Sequence, residues 1–210
     1  MSADPNEVRQ KSDFYAKWLD SNKTRIPNAD RLTRKLRAET NEGHVVHAEV
    51  LKRFFEDKSF EIIDVELHVG NHDIDIQLKG PINIQVWHGA STSSHEIAGR
   101  PVSGGVKTDW EKDEAKLHEK LDQLPENDPG FVVCYDRHLG ILPLPEWYVD
   151  FPENRAIIEW YHVDYGQGPI SEARLHSNPN FKYHDIAKKI ASSLGLSLKP
   201  EWWAVELGPT

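Results

Sequence analysis

The sequence predicts an α/β sandwich built on a mixed sheet, from three observations. Apolar residues recur at helical spacing through the first quarter of the chain. They then alternate strictly in three short segments between Glu61 and Trp87, and a further helical pattern leads into an apolar run at 131–136. Helix, three strands, long connection, helix, strand is an order that packs helices on a sheet.

Residues 6–21 carry Val8, Tyr15, Trp18 and Leu19 at helical spacing, and residues 28–39 repeat the habit with Leu32 and Leu36 behind a cap signal at Asn28. These form an expected N-terminal helical extension, 1–42. A stronger amphipathic helix spans 44–57, with Val46, Val50, Leu51 and Phe54 as its buried stripe and Glu49 beside it. Glu61 to Val69 reads as a first strand, with Ile63, Val65, Leu67 and Val69 on one face and Asp64, Glu66 and His68 on the other. Gly70-Asn71 turns the chain into a hairpin. A Gly/Ser/Thr-rich stretch, 88–106, reads as a long loop, followed by a helix at 108–124 (Leu117, Leu121, Leu124) that Pro125 ends. The strand 131–136 completes an α/β core over 43–145. In the expected C-terminal extension, 146–210, strands at 157–163 and 170–176 flank the turn Gly166-Gln167-Gly168-Pro169, and a helix from Asp185 to Leu194 stops at Gly195.

Composition excludes several classes. The 210 residues are 38% hydrophobic with no long apolar run, so neither a membrane span nor a signal-peptide core is expected, and the chain reads as cytoplasmic. The single cysteine, Cys134, lies inside the apolar run and reads as a small core residue; no disulfide can form within one chain. A net charge of −9 argues against a broadly basic surface for nucleic acid. The distribution is uneven, however: residues 23–37 hold Lys23, Arg25, Arg31, Arg34, Lys35 and Arg37 against one acid, Asp30. Because salt screens charge beyond about 8 Å, such a patch acts locally despite the acidic remainder. A solvated helix face is the plainer reading of the same residues.

The hairpin His72 to Trp87 is the most informative segment. Ile74, Ile76 and Leu78, then Ile82, Ile84 and Val86, make one apolar face; Asp73, Asp75, Gln77, Asn83, Gln85 and Trp87 make the other. If Leu78 pairs with Ile82 around Lys79-Gly80-Pro81, Asp75 lies opposite Gln85 and Asp73 opposite Trp87. Two oxygen-bearing side chains then stand side by side.

Together, the element order and these polar positions resemble the PD-(D/E)XK nuclease superfamily, which includes restriction endonucleases and Holliday junction resolvases; the likeness covers roughly residues 44–136. It implies a restriction endonuclease-like three-layer sandwich. It also implies a site in which Glu49 matches the helix acid, Asp75 the strand acid, and Gln85 the carboxylate of the (D/E)-x-K element, here Gln85-Val86-Trp87. Hard oxygen ligands in such a site hold Mg²⁺ (or Mn²⁺), which polarises a phosphodiester, while the lysine stabilises developing charge. Trp87 stands where the family has lysine, and an indole does neither of lysine's jobs. Lys107 and Lys112 are the expected replacements. Lys79 starts about 13 Å from Asp75 along the strand, too far. The resemblance makes DNA the expected partner, with Arg31, Arg34, Lys35, Arg37 and Arg100 as the residues to contact it.

Two further readings stand beside this one. The fold survives without hydrolysis and serves protein binding or assembly, with Trp87 filling the emptied pocket. Alternatively, the chain is a metal-dependent hydrolase or binding protein for small acidic ligands using its histidine-rich loop. Eleven histidines are many, and His68, His72, Asp73, His88 and His95 fall near one sheet end, but no HExxH or paired Cys/His spacing is present. Scattered surface histidines are the plainer reading, with His88 or His95 as an extra ligand or general base only if the loop folds back. Residues 186–197 imitate the start of a helix-turn-helix, but Lys199-Pro200 interrupts any recognition helix.

Overall fold

A computed structural model describes residues 5–70, 72–89, 96–97, 100–101, 110–136, 151–164 and 169–199. Three helices come first: α1 (Pro5–Asn22), α2 (Ala29–Ala38) and α3 (Glu42–Asp57). Strands β1 (Ile62–Val69), β2 (His72–Leu78) and β3 (Ile82–Gly89) follow. Within the expected long loop, β4 (Glu96–Ile97) pairs with β5 (Arg100–Pro101). The chain continues through α4 (Trp110–Asp122), β6 (Gly130–Asp136), β7 (Arg155–Asp164), β8 (Pro169–Ser177), α5 (His184–Ser193) and β9 (Ser197–Lys199). No described helix is long and apolar enough to cross a membrane.

The main sheet is mixed and seven-stranded, in the order β1-β2-β3-β6-β7-β8-β9. Pairing is antiparallel through β1-β2-β3, parallel from β3 through β6 to β7, antiparallel at β7-β8 and parallel at β8-β9. The C-terminal hairpin thus continues the central sheet. Likewise α1 and α2 share one core with α3: Leu19, Leu32, Leu36, Leu51 and Phe54 are fully buried in the same cluster as Ile76, Ile84, Val133 and Ile158. The opposite face carries a smaller core, in which Leu117, Leu121 and Leu124 of α4 meet Val132, Cys134, Phe151 and Ile157. A parallel strand covered on both faces must be apolar on both, and Phe131 to Cys134 are all fully buried. Cys134 is accordingly a core residue.

Two local expectations are corrected. On β1 the register against β2 shifts between Ile62 and Asp64, and Glu66 sits at φ 56°. The bulge turns Ile63 outward (40% exposed) and the left-handed backbone turns Glu66 inward (3% exposed), so the expected alternation is interrupted although Val65 stays buried. At α2, Asn28 occupies the N-cap position in the left-handed region, but its side chain makes no cap. Its amide donates instead to Asp64 Oδ1 at 2.6 Å, tying α2 to β1.

Candidate metal centre

The hairpin register is as the alternation requires: Ile76 pairs with Ile84, Gln77 with Asn83 and Leu78 with Ile82. Beyond Ile76 and Ile84 the β2-β3 ladder stops and side chains take over the backbone groups. Asp75 Oδ2 accepts from the Val86 amide at 2.7 Å, and Gln85 Nε2 donates to the Asp73 carbonyl at 2.6 Å. On the α3 side, His47 Nε2 lies 3.1 Å from the Asp75 carbonyl. The strands therefore part at Asp75 and Gln85, with their backbone groups satisfied by polar side chains that a continuous sheet would not need.

Into this parting comes a lysine from α4. Lys120 Nζ donates to Gln85 Oε1 at 2.8 Å and lies 3.3 Å from Asp75 Oδ2, with Lys120 24% and Asp75 13% exposed. Of the lysines expected near the site, Lys107 lies outside the described residues, and Lys112 is on the first turn of α4 with its side chain not described. Trp87 packs half-buried against the Leu117, Leu121 and Val132 cluster. The indole of Trp87 thus supports the helix that brings the ammonium.

Three further side chains meet on the other side of Asp75. Ligand atoms of His47, Glu66 and Asp75 lie within 4.8 Å of one another. The bulge and left-handed Glu66 deliver its carboxylate here: Oε1 is 3.4 Å from His47 Nδ1, and Oε2 accepts from Lys35 of α2 at 2.5 Å. Arg31 donates to the Glu66 carbonyl at 2.5 Å and holds the unusual backbone from above. A carbonyl only accepts, so His47 carries a proton on Nε2, which leaves Nδ1, facing Glu66, as the nitrogen that would bind a metal. This is how a ligating histidine is usually oriented, by a hydrogen bond from its other nitrogen. Donors across an ion at about 2.1 Å stand about 4.2 Å apart, so this group closes on one divalent ion with shifts under about 1 Å. Two carboxylates and an imidazole fit a divalent metal.

The group lines an open cleft of about 570 Å³ between the start of α3 and Lys120. Asn41 caps α3, accepting from the Gly43 amide at 2.8 Å, which fixes the helix end beside the cleft. His44, on the cleft wall, is held below the usual imidazole range by burial first and then by the Lys35 charge, so it is neutral at pH 7. A second open cleft of about 400 Å³ shares Lys35, Glu39 and Glu66 with the first and adds Arg31, Arg34 and Asp73.

The other expected residues fall elsewhere. Glu49 faces away from the parting, paired with Arg53 at 2.9 Å beside Tyr135. Gln85 gives its carbonyl to Lys120 rather than to the ligand group. Arg37 pairs with Asp20 on α1, away from both clefts, and Arg100 lies on β5 with its side chain not described. Of the expected histidines, His68 pairs with Asp73 at an exposed strand end, His88 lines the same cleft as His47, stacked on Tyr135 with Glu42 3.8 Å away, and His95 lies outside the described residues.

His47, Glu66 and Lys120 were not among the expected site residues. His47 had a signal, as a histidine next to the apolar stripe of α3; Glu66 had none, because its inward turn depends on a bulge that alternation hides. A scan of family models, a search of curated proteins and a search of solved structures each return no match.

Proposed function

We propose that the chain is a divalent-metal-dependent phosphodiesterase acting on DNA, built on the plan of the PD-(D/E)XK nucleases with its lysine relocated to α4. The observation that carries this reading is Lys120 Nζ between Asp75 Oδ2 and Gln85 Oε1, where the parted strands put the acid and the amide. A bound divalent ion supplies Lewis-acid polarisation of the phosphoryl group and lowers the pKa of a bound water. Asp75, with Glu66 and His47, would hold that ion. Lys120 places a positive charge at the edge of the same space, where negative charge develops on the phosphoryl oxygens. Arg31, Arg34 and Lys35 line the adjoining cleft and orient the flanking phosphates, a task for which Arg37 is misplaced.

The test is cleavage of an end-labelled DNA duplex and of its single strands, with Mg²⁺ or Mn²⁺ and with chelator. Cleavage that chelator stops and Asp75→Asn abolishes supports the proposal. No cleavage of either substrate by the folded chain with either ion overturns it. A second reading, a non-hydrolytic relative serving assembly, draws on Gln85: it is fully buried with both ends of its amide committed, where the family carries a carboxylate.

A further inference from the structure

His47 distinguishes this centre from one made only of oxygen. Mg²⁺ takes hard oxygen ligands in near-ideal octahedra and is a poor partner for imidazole, whereas first-row transition ions accept a nitrogen donor readily. We propose that His47 Nδ1, Glu66 and Asp75 form a site that selects a first-row transition ion, of the Mn²⁺ to Zn²⁺ series, over Mg²⁺. The proposal deepens the phosphodiesterase reading by naming its ion, and it rests on geometry that does not depend on the reaction.

Three features converge. The His47 Nε2 contact to the Asp75 carbonyl at 3.1 Å directs Nδ1 away from that carbonyl and towards Glu66. Glu66 commits Oε2 to Lys35 and turns Oε1 to within 3.4 Å of His47 Nδ1, so an imidazole nitrogen and a carboxylate oxygen stand close enough to hold one cation that takes the place of the Nδ1 proton. Asp75 commits Oδ2 to Val86 and Lys120, and Oδ1 takes no hydrogen bond among the described residues. His47 and Glu66 side chains are 5% and 4% exposed, so the donors are held in place rather than swinging in solvent. A buried, oriented nitrogen donor is the element that discriminates between ions.

The experiment follows free Mn²⁺ by electron paramagnetic resonance as the full-length protein is added, then titrates Mg²⁺ or Zn²⁺ as competitor. The expected result is Mn²⁺ uptake that Mg²⁺ reverses only at an excess of about tenfold or more, equivalent to about 1.4 kcal/mol, while Zn²⁺ displaces Mn²⁺ at lower concentration. His47→Ala should remove the preference, so that Mg²⁺ and Mn²⁺ compete about equally. Glu66→Gln, which keeps the side-chain shape, should weaken both; circular dichroism confirms that each variant is folded. No Mn²⁺ uptake by the wild-type chain, equal competition by Mg²⁺, or an undiminished preference in folded His47→Ala overturns the proposal. The two readings fail separately: selective Mn²⁺ uptake without DNA cleavage removes only the phosphodiesterase, and cleavage with no ion preference removes only the selectivity.

Discussion

Replacing Lys120 with methionine keeps most of the apolar stem and removes the ammonium, and it separates the roles that the geometry assigns. In the free protein the variant leaves Gln85 Oε1 without its donor and Asp75 with the Val86 amide alone. One buried acceptor left unsatisfied costs about 1–3 kcal/mol, so a measurable fall in Tm is expected. The effect on metal affinity has the opposite sign. An ammonium 3.3 Å from Asp75 Oδ2 stands about 5 Å from a divalent ion on the same carboxylate, a repulsion of about 7 kcal/mol at an effective dielectric of 20. Lys120 is 24% exposed, and solvent and salt reduce that severalfold, to about 1–2 kcal/mol. Lys120→Met should therefore bind Mn²⁺ roughly tenfold more tightly, yet lose a factor of about 10²–10³ in cleavage, the usual cost of removing one charge-stabilising donor. Calorimetric titration of Mn²⁺ gives the first quantity and single-turnover oligonucleotide cleavage the second. Weaker metal binding together with unimpaired cleavage would refute the assignment of Lys120.

The remaining predictions concern residues outside that contact. Glu49→Gln breaks a half-exposed i,i+4 pair with Arg53 and should cost no more than about 0.5 kcal/mol in denaturant melts while leaving Mn²⁺ affinity unchanged, because Glu49 lies away from the ligand group. Tyr15 is pushed up to about 12, by burial first and then by Glu49. Its folded value exceeds its unfolded value near 10, so the stabilisation is complete below pH 10 and is lost as pH rises from 10 towards 12; urea melts should show this loss reduced in Tyr15→Phe. At Gly130, where β6 begins, an added Cβ would meet Leu124 Cδ1 at 2.9 Å and Cβ at 3.1 Å. Gly130→Ala should lower stability by about 1–3 kcal/mol, read by thermal unfolding.

How much of this was legible before the structure differs from element to element. The hairpin register was legible at its three pairs next to the turn, because a period-two pattern and a three-residue turn leave one register that buries both apolar faces; the parting at Asp75 and Gln85 was not, since alternation alone continues the ladder to Asp73 and Trp87. The mixed sheet followed from element order, since a strand reached through a helix pairs in parallel. Lys120, the lysine found beside Asp75, lies further along α4 than the expected Lys112. A helix returning from the end of β3 descends about 1.5 Å per residue, against about 3.3 Å for the strand. Gln85 lies four residues, or about 13 Å, below the end of β3 at Gly89; the matching helix position lies about nine or ten residues into α4, which is Lys120 and not Lys112. Glu66 was hidden for another reason. Its inward turn comes from a bulge and a left-handed residue, and neither leaves a mark on an alternating pattern. Glu49 misled because an acid beside an apolar helix stripe has the right spacing for a ligand and for an i,i+4 partner of Arg53 alike.

The account places its centre where β2 and β3 part, and a crystal of the full-length chain soaked in Mn²⁺, with diffraction recorded at the manganese edge, tests that placement most directly. The predicted result is one anomalous peak within about 2.3 Å of an Asp75 carboxylate oxygen and of His47 Nδ1, with Glu66 Oε1 drawn towards it. A peak held by other residues, or no peak at this site in crystals that take up the ion elsewhere, would contradict the account.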